Sequence, residues 1–190
     1  MHRKLRKLKK INVPYEKITY FNKSGYNGSY LKTSPKKGIK FIDHPLLPED
    51  LNNAEYFSHI LDDIKKEFLC LKLAHSRAKD NVPKPLNLVL IKTLDEEEDL
   101  ECYYIGYEMS HINGSHLKGK YTSRNNRKTV NELFVKLAKK GVFHLDLHSE
   151  NILKHGNRLY AIDFDPRFIR FEYMPAKYGG MEEFDGYGNF

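Results

Sequence analysis

The chain has 190 residues, about 40% of them apolar, with 13 Tyr and 11 Phe and a formal net charge of +7. That length fits one domain or two small lobes, with enough apolar and aromatic side chains for a real core. Nothing approaches the ~18 consecutive apolar residues of a membrane span, and the N-terminus lacks the apolar stretch of a secretory signal.

Charge is unevenly placed. Arg3, Lys4, Arg6, Lys7, Lys9 and Lys10 carry six of the seven net charges. A basic arm, residues 1–14, therefore precedes a near-neutral body. This is a weak nucleic-acid signal, and it fits an acidic partner, RNA, an anionic membrane surface or a solvated tail. Two cysteines, Cys70 and Cys102, stand far apart and are expected to be buried free thiols in a reducing compartment. The expected location is cytoplasmic where the chain is made, with secretion into a host cell or peripheral membrane association as further options. No internal repeat or low-complexity tract is present.

In chain order, Lys17–Asn22 reads as a strand that runs into the turn-rich Ser24-Gly25-Tyr26-Asn27-Gly28-Ser29. Tyr30–Thr33 is a second strand, residues 34–38 a turn, and Ile39–Ile42 a third strand. Asn52 and Asn53 can cap a helix reaching about His75, its stripe formed by Phe57, Ile60, Leu61, Ile64, Phe68 and Leu71. Leu86–Ile91 and Cys102–Glu108 read as a hairpin around the acidic, solvated turn 95–99. Lys118–Lys128 is polar and reads as loop. A helix over Val130–Lys140 follows, with a capping box at Thr129 and Glu132 and a stop at Gly141. Ile152–Lys154 and Leu159–Ile162 make a second hairpin, and residues 179–190 read as a glycine-rich tail.

The chemistry concentrates between that helix and that hairpin. His144-Leu-Asp146-Leu-His148-Ser-Glu-Asn151 has the form H-x-D-x-x-x-x-N, and twelve residues after Asn151 an apolar strand ends in Asp163-Phe164-Asp165. Phosphoryl transfer needs a carboxylate beside the attacking hydroxyl and oxygen ligands that hold Mg²⁺ against the phosphates. Asp146 suits the first task; Asn151 and Asp163, both hard oxygen donors, suit the second. His144, His148 and His155 as a zinc cluster is a poorer reading, since no cysteine lies nearby.

These motifs resemble the catalytic loop and the magnesium-binding D-F-G of protein kinases, and the resemblance covers about residues 20–170. It implies an α+β, bilobal protein-kinase-like fold: an antiparallel-sheet N-lobe over 15–110 and a truncated, mainly helical C-lobe over 111–178. It implies ATP and Mg²⁺ as cofactors. Gly25, Gly28 and Tyr30 match the second half of the kinase glycine-rich loop, with Lys23 where a first glycine would stand. Lys40 is similar to the lysine that meets the α- and β-phosphates. Glu67 falls on the apolar stripe of its helix, where an unpartnered carboxylate costs several kcal/mol; the resemblance makes Lys40 its partner. Glu108 and Ser110 lie in the segment similar to the hinge, whose backbone would meet adenine.

Departures matter too. Leu145 replaces the arginine that reads a phosphorylated activation loop, so that mode of regulation is not expected. His148, two residues after Asp146, is similar to aminoglycoside, choline and lipopolysaccharide-core sugar kinases. Asp165 with Arg167 and Arg170 resembles the lipopolysaccharide Kdo-kinase group. Only 25 residues follow Asp165, without an A-P-E-like segment, which resembles the minimal kinases of bacterial effectors and phages. Three readings follow: a minimal Ser/Thr-type kinase with a protein substrate, a sugar kinase with a lipid-linked acceptor, and an inactive binding module.

Overall fold

The computed structural model describes residues 8–14, 29–42, 44–95, 99–117 and 124–172. The expected strand at Lys17–Asn22 and the glycines Gly25 and Gly28 lie outside them, as do residues 173–190. The described residues form a mixed α+β structure, and the chain divides into two compact units. Unit one is Met1–Lys65 with Pro85–His111; unit two is Lys66–Lys84 with Ile112–Phe190.

Unit one is built on a sheet of five described strands: β1 (Lys9–Asn12), β2 (Ser29–Ser34), β3 (Lys37–Phe41), β4 (Pro85–Asp95) and β5 (Leu100–Ser110), in the order β1-β4-β5-β3-β2. The hairpins β2–β3 and β4–β5 are antiparallel, as expected, and β3 also pairs with β5. β5 is the central strand and is buried continuously from Tyr104 to Met109, the pattern of a strand covered on both faces. Val13, Leu31, Ile39, Phe41, Val89, Ile91, Cys102 and Tyr104 form the sheet's buried cluster.

β1 corrects the reading of residues 1–14 as an arm throughout. Lys9–Asn12 forms the edge of the sheet and pairs parallel with β4, Ile11 opposite Ile91. Its lysines disguise a strand, for Lys9 and Lys10 are exposed while Leu8 and Val13 are buried and Ile11 is partly buried.

Helix α1 (Ala54–Arg77) is capped by Asn53, whose Oδ1 accepts the Tyr56 N–H at 3.2 Å. Phe57, Leu61, Ile64, Phe68 and Leu71 are buried at helical spacing, as the periodicity requires. The division between units falls within α1, after Lys65.

Unit two contains β6 (Ser115–His116), α2 (Arg124–Ala138), β7 (Val142–His144), a 3-10 turn (Ser149–Asn151), β8 (Ile152–His155), β9 (Arg158–Ala161) and β10 (Ile169–Phe171). The β8–β9 hairpin appears where the sequence places it. α2 starts six residues earlier than expected, so Thr129 and Glu132 lie inside the helix and form no capping box. The cause is Asn126: it is buried on the same face as Leu133 and Leu137, so a polar segment read as loop is held by packing. Gly141 does end the helix region, at φ 68°, where a side chain is strained. β7 pairs with β10, a partner too distant in sequence for either short strand to announce itself.

Candidate active site

Unit two carries the segment His144–Asn151, entered from β7 and closed by the 3-10 turn. β7 delivers His144, and the turn Ser149–Asn151 begins at His148, whose Nδ1 accepts the Glu150 N–H at 3.3 Å. Between them Asp146 stands at the loop's bend, half-buried.

Asn151 ties this loop together. Its Nδ2 donates to the Asp146 main-chain oxygen at 2.9 Å and to Asp146 Oδ2 at 3.2 Å. Those bonds use the amide nitrogen, not Oδ1, the atom a hard cation takes. The Asn151 carbonyl in turn accepts the Ile162 N–H at 3.0 Å. His144 reaches the same residue from the other side, its Nε2 donating to the Ile162 carbonyl at 3.0 Å. Burial pushes the His144 ring below its ordinary pKa, against the opposing effect of that hydrogen bond and of Asp163 and Asp146 nearby, so the neutral imidazole serves as a strap.

Ile162, pinned on both sides, sets the next residue. Asp163 is exposed and holds φ 64°, a left-handed backbone rare for a side-chain-bearing residue. Such strain persists where the surroundings over-determine it and collects at functional sites. Phe164 is buried and meets the His144 ring edge-on, centroids 5.3 Å apart. Unit two thus brings Asp146, His148, Asn151 and Asp163 into one neighbourhood.

The donor set fits a hard divalent ion: a carboxylate at Asp163 and an amide oxygen at Asn151, in a site where such an ion keeps several waters. No group of three His, Cys, Asp or Glu that could hold a metal occurs among the described residues. His155 instead contacts the Asn113 carbonyl. His148 has a different place: its Nε2 lies 3.0 Å from Asn151 Nδ2 and 3.8 Å from Asp146 Oδ2. Because Nδ1 accepts the Glu150 N–H, the neutral ring carries its proton on Nε2, on the side of the Asp146 carboxylate.

Asp165 is occupied structurally. It accepts the Arg167 main-chain N–H at 2.9 Å and pairs with the Arg167 guanidinium at 2.9 and 3.0 Å, capping the turn before β10. Glu67, half-buried on α1, acts with Asp165 on Cys70, whose thiol burial pushes well above its ordinary pKa, Arg170 opposing the two carboxylates. Both cysteines are buried thiols, as expected.

Unit one carries the remaining candidates. Lys40 is half-buried on β3, opposite Tyr30 of β2 and Tyr107 of β5. Tyr30 lies across Gly38, where an added Cβ would sit 1.9 Å from its hydroxyl, and that hydroxyl meets His111 Nδ1 at 2.8 Å. Burial pushes the Tyr30 hydroxyl up to about 12 and lowers His111, so the phenol donates to a neutral ring. Glu108 and Ser110 both lie in the β5 ladder, opposite Ile39 and Lys37.

The sequence reading missed what holds Glu108. Its carboxylate, only 4% exposed, receives Lys9 Nζ at 3.0 and 3.2 Å and Asn87 Nδ2 at 2.9 Å, with Lys37 at 3.7 Å. Burial raises this carboxyl, but the Asn87 and Lys9 hydrogen bonds and the two lysine charges outweigh it, and the net effect is below the ordinary value. A carboxylate inside a continuously buried strand was the available signal: such a group requires fixed partners.

No protein-family profile matches the chain, and no curated protein sequence matches it. Among solved structures it is similar to Lpg2603, a Legionella pneumophila kinase bound to IP6, at 16% identity and a TM-score of 0.38. The alignment covers 81% of this chain and 50% of that one, so the chain spans about half the length of that structure.

Proposed function

We propose that the chain is an ATP-dependent phosphotransferase, a minimal Ser/Thr-type kinase that moves the γ-phosphate of ATP to a protein hydroxyl. The observation that carries this reading is the knot formed by Asn151, which fixes Asp146 through its side chain and Ile162, the residue before Asp163, through its main chain. It serves a reaction in which positioning and electrostatics matter more than covalent chemistry.

On this reading Asp146 accepts or orients the proton of the incoming hydroxyl. Asn151 holds Asp146 in place through Nδ2 and leaves Oδ1 for the ion. Asp163 takes the same ion, its side chain aimed by the left-handed backbone. Mg²⁺, when bound there, supplies positive charge against the phosphate oxygens. Lys40, with Gly25, Gly28 and Tyr30, is assigned to the nucleotide phosphates, Glu67 to Lys40, and the backbone at Ser110 to adenine, Glu108 being paired with β3 and β4 on its two sides; these roles rest on motif order. Unit one is then the nucleotide-holding lobe and unit two the catalytic one.

A second reading, a sugar or small-molecule kinase with a lipid-linked acceptor, is favoured by one contact. His148 stands 3.8 Å from Asp146, where it can relay the acceptor's proton. A single assay separates the readings: labelled ATP and Mg²⁺ with the chain alone, with cell lysate and with a lipopolysaccharide fraction. Label in protein bands is the expected result, and label in glycolipid favours the second reading. No transfer anywhere, or equal transfer by Asp146→Asn, overturns the phosphotransferase assignment.

A further inference from the structure

Unit two carries a second concave feature, on the side of the loop that faces α2. A pocket of about 390 Å³ opens there between helix and loop. That volume lies at the small end of ligand sites, which run from about 300 to 1,000 Å³. Polarity in it is sorted by exposure. Arg127 and Asn131, one turn apart on α2, are both exposed. Val130 and Phe134, the next pair along the helix, are half-buried, and Leu147 of the loop is buried. His144 completes the wall, and its buried Nδ1 has no hydrogen-bond partner among the described residues. Leu145 stands opposite α2, 59% exposed, yet no loose segment displays it: its N–H donates to the Phe168 carbonyl at 2.8 Å. A large apolar side chain fixed outward beside an apolar wall gains from an apolar occupant.

The charge of the lining decides what that occupant carries. Arg127 is its one cation, and no carboxylate lines it. Neither Arg127 nor Asn131 is engaged through its side chain by another of the described residues. A guanidinium presents a planar fork that matches the two oxygens of a carboxylate, and an amide N–H one turn along the helix can meet the same group. One cation answers one negative charge. A phosphate monoester, at about −1.5 to −2, would keep part of its charge unanswered, and an amine would be repelled. The exposed polar pair and the more buried apolar wall therefore select a monoanionic head on an apolar body.

We infer that this pocket binds a small carboxylic acid, an aryl- or alkyl-carboxylate whose head pairs with Arg127 and Asn131 and whose apolar body packs against Val130, Phe134, Leu145 and Leu147. Leu145 and Leu147 flank Asp146, so such a ligand steadies the loop from the α2 side. Binding does not depend on the chain being a kinase.

The test titrates the full chain with three probes that share one apolar body: phenylbutyrate, phenylbutanol and phenylbutylamine. Amide shifts in two-dimensional NMR spectra report where each binds and at what concentration it saturates. Phenylbutyrate is expected to shift the amides of residues 127–134 and 144–147 and to saturate in about the millimolar range, as suits so small a ligand. The alcohol is expected to bind at least fivefold more weakly, and the amine more weakly still. Arg127→Glu, a change at an exposed position, is expected to reverse that order, with the amine now ahead of the acid. Leu145→Ala is expected to weaken the acid and the alcohol alike, by at least threefold. Hydrogen exchange adds a second readout: saturating phenylbutyrate is expected to slow the amides of residues 144–147. Equal saturation by all three probes, shifts confined to other residues, no binding, or an order indifferent to Arg127→Glu overturns the inference. Two further outcomes overturn it in favour of another occupant. Tighter binding of acetyl-Gly-Gly-Phe with a free carboxylate assigns the pocket to the end of a partner protein. Shifts at the same amides on diluting the chain alone assign it to a second copy.

Discussion

Two carboxylates of this protein, Glu108 in unit one and Asp163 in unit two, show opposite ways of being held. Glu108 sits in the middle of a buried strand, and its side chain is gripped by Lys9 and Asn87 with Lys37 nearby. Its backbone is ordinary strand, and the surroundings answer its charge. Asp163 is exposed, and what is fixed there is the main chain, at φ 64° between ties that run through Ile162. The carboxylate answered by fixed cations is held through its side chain, whereas the exposed one is held through a backbone in a costly conformation, the arrangement that the proposed ion site calls for.

That comparison can be broken most directly at the site. Asp163→Ala and Asp146→Asn are each expected to lower phosphotransfer by about 10²–10⁴-fold, as removal of a positioned acid–base group typically does. Melting temperature is expected to move little, because both side chains stand away from the core. Measured Mg²⁺–nucleotide affinity then separates them: lost in Asp163→Ala, retained in Asp146→Asn. If both variants instead unfold at lower denaturant, the two carboxylates are structural after all.

At Glu108 the expected order reverses. Lys9→Met removes hydrogen bonds to a buried charge and is expected to cost about 1.5–3 kcal/mol in urea unfolding. Glu108 is held below its ordinary pKa, so its contribution is present at neutral pH and falls away as pH drops below about 4.5 toward the lower folded value. Stability of Glu108→Gln is expected to be flatter than wild type across that acid range; parallel curves would remove the cluster from the account.

A smaller effect sharpens the claim about backbone strain. Glycine adopts the left-handed region without penalty, while alanine pays roughly 1 kcal/mol there. Asp163→Gly is therefore expected to be about 1 kcal/mol more stable than Asp163→Ala, with both equally inactive, measured by paired denaturation curves. Equal stabilities would mean that the left-handed conformation is not retained in solution.

Much of this was legible in the residues. Periodicity located α1 and its Asn53 cap, and the β-branched and aromatic runs located both hairpins. The spacing of Asp146, Asn151 and Asp163 marked a candidate site, because ligand chemistry restricts residue type, and the fold brings Asn151 onto Asp146 and onto Ile162 next to Asp163. Less legible were the elements whose character depends on a partner. Lys9–Asn12 looks like a solvated arm until β4 supplies a ladder, and Asn126 looks like loop until the face it shares with Leu133 and Leu137 is buried.

The sequence alone therefore determined which residues are candidates for the chemistry and which local segments become helix or hairpin, since these follow from side-chain type and near-neighbour spacing. Only the tertiary structure decided that Glu108 is answered by Lys9 from the other end of unit one, that β7 finds β10, and that Ile162 is tied from both sides. Each of these joins residues far apart in the chain, and closing such loops is favourable only once the packing that rewards it exists.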